Sequence, residues 1–352
     1  MSIKITTWNI EHASRLVSDQ PTARVLERRR RARETIEEID PDVLCVVEGP
    51  KGEQAITDFS RQLLNDAWTP VLLKGPADAL GDRDRDYQIR GSQWIWFLVK
   101  PALAGGSRLQ DPTVWQAFTG SRSWQVNYWG QIAPSRHDHY RHPQVLIVDL
   151  GAGEQLEVIG LHLKSKINRK RITRDDQGNL TGDHLESALK SRAKLATEAR
   201  NVRDYIHAKF NQNPSPGLVI IGDCNDGPGH DFFEKEYLFF DLVQNLQGEV
   251  LVAERFFNHA LFDFPEALRW TARFRDAILN IPASRNPLLL DHILISQPLV
   301  RGGFSLQVAP NGGRVDHEAY ERANAGANSK TRSSDHRPVS CLLQDSPAPP
   351  AP

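Results

Sequence analysis

Residues 217–228 read GLVIIGDCNDGP. The first part is a continuous apolar run rich in β-branched residues, the pattern of a strand buried on both faces. The run then breaks into a Gly/Pro loop, with Asp223 and Asn225 at the junction. Strand ends that open into loops are where sheet proteins gather ligand and catalytic groups. Strand alternation sets Cys224 on the side opposite Asp223 and Asn225, so it reads as core packing.

The same arrangement recurs outward along the chain. IKITTWNI (3–10) is a β-rich opening strand with Asn9 near its end, followed by Glu11 and His12. VLCVVE (43–48) ends on Glu48, and QWIWFLVK (93–100) is another apolar strand. PQVLIVDLG and QLEVIGLHLKS pair around the turn GAGE (151–154), with His162 and Lys164 near the second strand's end. LLLDHILIS (288–296) carries Asp291 and His292. SSDHRPV (333–339) sets Asp335 and His336 just before the closing strand PVSCLLQ. Any one of these groups alone reads as a capped turn or a satisfied buried polar side chain. Six strands with carboxylate, amide or imidazole groups at their junctions read as one site.

Helical patterns lie between the strands. ARVLERRRRARETIEEIDPD (23–42) carries sparse apolar positions at Val25, Leu26, Ile36 and Ile39 and stops at Pro41. AITDFSRQLLNDA (55–67) is a second helix, and ESALKSRAKLATEARNVRDYIHAKF (186–210) a long third one. The pattern is α/β and fits two packed sheets with helices outside. Residues 74–92, 167–184 and 311–332 read as polar loops or insertions. No repeat and no linker-like stretch divides the chain. The expectation is a single domain over 1–345 and a disordered Pro-rich tail at 346–352. The run Arg28 to Arg31 precedes Glu34, Glu37 and Glu38, which predicts charge pairing on a solvated helix face.

Composition narrows the classes. The chain has 352 residues, 39% hydrophobic and 25% charged, enough for a sizeable core. No apolar run is long enough to span a membrane, and the N-terminus has no signal-peptide pattern. The three cysteines show no CxxC spacing, which predicts a reducing, cytoplasmic setting. A net charge of -1 excludes a generally basic nucleic-acid binder, so any such contact rests on a local patch.

The junction residues have the parts for phosphoryl chemistry. Carboxylates and an Asn amide are hard oxygen ligands suited to Mg²⁺, with Mn²⁺ as the alternative. There is no HExxH, no Cys/His zinc spacing, no P-loop and no GxSxG elbow. Phosphate-ester hydrolysis needs an activated water, charge neutralisation on the phosphoryl oxygens and help for the leaving oxygen.

TWNIEH (7–12), VVEGP (46–50), GLHLKSK (160–166), IGDCNDGP (221–228), LDHILIS (290–296) and SSDHRPV (333–339) resemble, in order, the motifs of the endonuclease/exonuclease/phosphatase superfamily. The resemblance spans almost the whole chain. It implies a four-layer α/β/β/α sandwich of two packed mixed sheets, with a Mg²⁺-dependent site at one edge. It further implies Glu48, Asn9 and Asp335 as metal-side groups. Asp223 would orient or deprotonate the attacking water, and Asn225 would contact the phosphate. His336 would bind the scissile phosphate with Asp291 as its partner, and His162 would stand near the phosphate or leaving group. Lys164 and Lys166 are further candidates for neighbouring phosphates. Arg90 lies where the superfamily often places a Tyr or Arg, without a clean Tyr match here. His12 is not counted among the site residues.

The implied activity is phosphodiester hydrolysis, with DNA and then RNA as substrate and nucleic acid as the partner. No obligate protein partner is evident. The alternatives are a phosphatase or phosphodiesterase on a small phosphorylated molecule or lipid headgroup, and an inactive binding protein on the same fold. A basic strip at 167–184 beside an open groove favours nucleic acid. A lid there over a small pocket favours the small substrate.

Overall fold

The computed structural model describes residues 1–73, 86–119, 123–127, 133–228, 231–238 and 241–346. Most of the expected insertion at 74–92 and nearly all of the tail at 346–352 lie outside the described residues.

Two six-stranded mixed sheets form the centre. The first runs Leu306–Val315, Val339–Asp345, Ser2–Asn9, Val43–Gly49, Trp94–Val99 and Thr69–Pro70. The second runs Phe257–His259, Asp291–Ser296, Gly217–Asp223, Glu154–His162, Gln144–Gly151 and Ser107–Leu109. The central strand of each has one parallel and one antiparallel neighbour. Ser2–Asn9 is parallel to Val43–Gly49 and antiparallel to Val339–Asp345. Gly217–Asp223 is parallel to Glu154–His162 and antiparallel to Asp291–Ser296. A parallel neighbour ends, and an antiparallel neighbour begins, at the edge where the central strand ends. Six junctions scattered through the sequence therefore share one edge.

Alternation along the strands sorts the core into layers. Ile5, Val219, Ile221, Ile293 and Ile295 belong to the apolar cluster shared by the two sheets. Gly160 permits the sheets to approach, since a Cβ there would lie 2.9 Å from both Ile95 and Phe97. The opposite side chains, Ile159, Leu161, Leu218 and Ile220, pack against Leu195, Ala199, Val202, Ile206 and Phe210 of the long helix Gly182–Gln212. Helices Ala23–Ile39 and Glu53–Leu64 cover the first sheet. The result is the four-layer α/β/β/α sandwich. Truncating a fully buried Ile220 to Ala would remove about 2–5 kcal/mol of stability.

Two expectations fail locally. The stretch 311–332 is a loop only over 324–332: it completes strand Leu306–Val315, through a register shift between Val308 and Gly313, and then forms helix His317–Ala323. Its Gly, Asn and Arg content hid a bulged strand and a short helix. The arginine run does not lie on a solvated face as a whole. Arg30 pairs with Glu27 and Glu34, as charge spacing suggests. Arg31 pairs with Glu27 at 2.7 Å as well, yet both Arg28 and Arg31 are buried and donate to backbone carbonyls, which no charge pattern reveals.

No helix among the described residues is long and apolar enough to cross a membrane.

Candidate active site

In the second sheet, Asp223 is the register partner of His162 on one side and of Asp291 on the other. Side chains in register point to the same face, so three adjacent strands present an imidazole and two carboxylates in one row. Gly222 precedes the row at φ 135, a conformation reserved for glycine, and a Cβ there would strike the Leu161 carbonyl. The opposite sheet supplies the counterpart. Asn9 ends the central strand, and its Nδ2 donates to Asp223 Oδ2 at 2.9 Å, joining the two sheets.

His336 closes the cluster. Its Nδ1 lies 2.7 Å from Asp291 Oδ2, and ligand atoms of Asp223, Asp291 and His336 all lie within 4.8 Å of one another. Burial works against the imidazolium. Asp291, then Asp223 and Asp335, outweigh it and push the His336 pKa up to about 10. Burial, reinforced by Asp291, raises the Asp223 pKa above the usual carboxylate range, while His336, the Asn225 N–H and Asn9 draw it back. His162 Nε2 lies 3.7 Å from Asp223 Oδ2. Burial, aided by Arg141 and His336, holds the His162 pKa well below its ordinary value, so the ring is neutral.

Glu48 sits at the end of Val43–Gly49, one residue past the Asn9↔Val47 register pair. It accepts from the His12 backbone N–H at 2.9 Å, and His12 Nδ1 lies 3.4 Å from the same oxygen. His12, passed over in the sequence, therefore stands at the site. Glu48, His12 and Asn225 have positive φ values of 58, 52 and 54. Left-handed backbone at such residues costs about 1–3 kcal/mol each and clusters where function over-determines the chain.

A hard cation fits these groups. Asn9 Oδ1 is buried with no hydrogen-bond partner among the described residues, because Asn9 spends its amide N–H on Asp223. That leaves an oxygen ligand on the strand paired with the one that carries Glu48. Asp335 is partly exposed, 3.8 Å from Arg332, and close enough to act on the His336 charge.

The loop after Asp223 is tied down. The Asn225 N–H donates to Asp223 Oδ1 at 2.8 Å and its Nδ2 to the Leu163 carbonyl at 3.1 Å. His292 faces away from the row and bonds His259 and the Asp226 carbonyl. Lys166 is not a bare charge for phosphate. Its ammonium pairs with Asp226, with Asp231 at 3.0 Å and with Glu234 at 3.2 Å. Arg90 is exposed and pairs with Asp138 at 2.5 Å. Lys164 is half-buried; burial and then Arg141 lower its pKa.

A basic residue whose charge reaches the row is one the sequence reading missed. Arg141 is largely buried, donates to Leu163 O at 3.0 Å and to Gln93, and interacts with Asp223 and Glu48 through their charges. Its signal is the stretch RHDHYRH (136–142), dense in basic and imidazole groups. That stretch leads into the strand Gln144–Gly151.

The segment before His336 is held from the first sheet's side. Ser334 Oγ donates to Asn9 O at 2.5 Å and accepts the N–H of Glu11 and of His336. Arg28 donates to the carbonyls of Glu11, Arg332 and Ser333 at 2.7–3.1 Å. Trp8 Nε1 donates to the His336 carbonyl at 2.9 Å.

No protein-family model matches the chain, and no curated protein matches it. Among solved structures it is similar to a truncated TDP2 from Caenorhabditis elegans, with 12% identity over 97% of this chain and 98% of that one, at a TM-score of 0.50. A second structure of TDP2 from C. elegans covers 97% of this chain and 75% of its own at 12% identity and a TM-score of 0.50. An endonuclease/exonuclease/phosphatase from Bacteroides vulgatus aligns with 98% of this chain and 99% of its own at 12% identity and a TM-score of 0.49. At these identities the likeness concerns the fold alone: the chain shares the fold of the two C. elegans TDP2 structures.

Proposed function

We propose that the chain is a metal-dependent phosphodiester hydrolase, and that its substrate is a nucleic acid, DNA before RNA. The observation that carries the reading is the row His162, Asp223, Asp291, faced by Asn9 of the other sheet and closed by His336. Asp223 is the base. A carboxylate with a raised pKa takes a proton from water more readily than an ordinary one. The attacking oxygen forms its bond to phosphorus as the bond to the leaving oxygen breaks, and the water proton passes to Asp223. His336, charged and oriented by Asp291, neutralises the charge that grows on the phosphoryl oxygens. His162, kept neutral, offers a ring N–H to the leaving oxygen. Arg141 adds a fixed positive charge beside the row, and Asn225 holds the loop that carries it.

Glu48 and Asn9, with Asp335 as a further carboxylate, would hold a divalent cation, Mg²⁺ before Mn²⁺. When bound, that cation supplies Lewis-acid polarisation of the phosphate and lowers the pKa of nearby water.

The preference for nucleic acid rests on residues 167–184. Arg169, Lys170 and Arg171 are exposed there, and neither Arg169 nor Arg171 makes an ion pair among the described residues. The strip is fastened to the long helix by Asn168 Nδ2 on His184 O at 2.7 Å and by His184 Nδ1 with Lys170 O at 2.9 Å. That is a basic strip, the arrangement that favours a polyanion.

The test measures product release from single- and double-stranded DNA, RNA, bis-p-nitrophenyl phosphate, a phosphomonoester and an inositol polyphosphate, with Mg²⁺, Mn²⁺ or EDTA. Polynucleotide cleavage is expected with metal, abolished by EDTA and lowered in Asp223→Asn by about 10²–10⁴-fold with folding intact. Full activity in Asp223→Asn overturns the role of the row. Activity confined to the monoester or the inositol compound overturns the nuclease reading.

A further inference from the structure

A groove of about 420 Å³ lies beside the long helix, lined by Lys164, Lys170, Lys190 and Lys194 with Ser187 and Ser191. It begins two residues beyond His162, and the Lys164 charge interacts with Arg141, which in turn interacts with Asp223. The Lys164 backbone N–H also donates to Glu198 at 2.7 Å, so a carboxylate stands among these positive groups. Four lysines face two carboxylates of the lining, Asp183 and Glu186. The pairs among them are weak or solvent-exposed: Lys170 with Asp183 at 3.6 Å, both largely exposed, and Lys190 with Glu186 at 2.5 Å, one helical turn apart. Lys194 lies 3.8 Å from Asp138 and 3.9 Å from Glu198. A phosphate can share such lysines without leaving a buried charge bare. Ser187 and Ser191 stand on the same helix with Lys190 and Lys194, adding neutral hydroxyl donors at phosphate height.

We propose that this groove is a backbone subsite. It binds the sugar-phosphate of a single strand on one side of the cleaved bond, through two or more phosphates. The proposal rests on the nuclease reading above and adds the path the strand takes. Its recognition is electrostatic and sequence-independent.

The experiment uses the full chain, a fluorescent oligothymidylate and bis-p-nitrophenyl phosphate, over a series of salt concentrations. The double variant Lys190→Ala/Lys194→Ala changes two partly exposed side chains of the groove outside the catalytic row. It is expected to raise KM for the oligonucleotide about tenfold and to leave kcat unchanged. The slope of log KM against log salt should flatten by about 1.4, the share of two phosphates on a single strand. Hydrolysis of bis-p-nitrophenyl phosphate, which has no backbone to fill the groove, stays the same. Glu186→Gln, which removes the carboxylate paired with Lys190, should move KM the opposite way. An oligonucleotide cut by the double variant with unchanged KM and salt slope overturns the groove and leaves the nuclease reading standing. Wild-type protein that hydrolyses bis-p-nitrophenyl phosphate but neither binds nor cuts the oligonucleotide overturns groove and nucleic-acid substrate together. Equal loss on both substrates in the double variant also overturns it, because the lysines would then act on the row itself.

Discussion

The loop that follows Asp223 and the segment that leads into His336 carry facing halves of the site, and they are held in different ways. The first is tied through charge. Lys166 stands among Asp226, Asp231 and Glu234, and Arg192 also pairs with Asp231. Burial raises the pKa of Asp226 and of Glu234, and Lys166 pulls both back toward ionisation. The second is tied through neutral backbone. Arg28 gathers three carbonyls, and Ser334 links Asn9, Glu11 and His336 by one hydroxyl. A buried ion cage gains its strength from a low dielectric and fails when one partner is removed. Bonds from a planar guanidinium to carbonyls depend instead on shape, because the acceptors are uncharged. One half of the site is therefore sensitive to the loss of charge, the other to the loss of geometry.

The largest effect tests the joint between the halves. Asp291→Asn keeps the size of the side chain but removes the charge that holds the His336 imidazolium. We expect kcat to fall about a thousandfold. The pH profile sharpens this result. Activity rises as Asp223 loses its proton, at a pH above the usual carboxylate range because burial raises its pKa. It falls as His336 loses its proton, near pH 10 in the intact protein. Without the Asp291 charge the His336 pKa drops, so the alkaline limb moves to lower pH. An alkaline limb that stays in place would break the pairing of Asp291 with His336.

Next in size is the charge-held loop. Lys166→Met leaves buried carboxylates without their cation and should destabilise the fold by about 3–5 kcal/mol, read by urea unfolding. Because the cage is largely buried, high salt should restore little of that loss. A loss under 1 kcal/mol would mean that the carboxylates need no lysine, and the contrast between the two loops would disappear.

The smallest effect belongs to the geometry-held segment. Arg28→Ala should cost about 2 kcal/mol of stability through unsatisfied buried carbonyls, and kcat should fall about tenfold as His336 loses its setting. Added guanidinium ion should recover part of kcat, whereas Arg28→Lys should not, since a point charge cannot span three acceptors. Recovery in Arg28→Lys would show that charge alone was needed there too.

The strands and the chemistry at their ends were legible because both are local. VLCVVE and GLVIIGD are apolar runs stopped by a carboxylate, and a strand with its terminal side chain needs only neighbours in sequence to be read. Arg28 was misread for the same reason. Its helical neighbours suggested charge pairing, while its actual acceptors are Arg332 and Ser333 at the far end of the chain. Arg141 was missed because nothing in RHDHYRH shows which of its basic groups acts on Asp223 and Glu48. Lys166 sits beside a site motif, yet its partners at 226–234 come from the loop after another strand. The bulged strand and short helix within 306–323 escaped because glycine and asparagine mark turns unless a neighbouring strand claims them.

Residue types, strand order along the chain and the polar group at each strand end came from the sequence alone. Alternation and local breakers encode them at short range, where each residue's neighbours suffice. Tertiary structure decided the rest. The His162–Asp223–Asp291 row exists only through register between strands, and the bond from Asn9 to Asp223 spans 214 residues of chain. Such contacts form when two sheets pack face to face and bury their shared apolar surface, a driving force without direction along the sequence. Packing brings the groups into one site, and the burial it creates then shifts the proton affinities of Asp223, His162 and His336 away from their ordinary values.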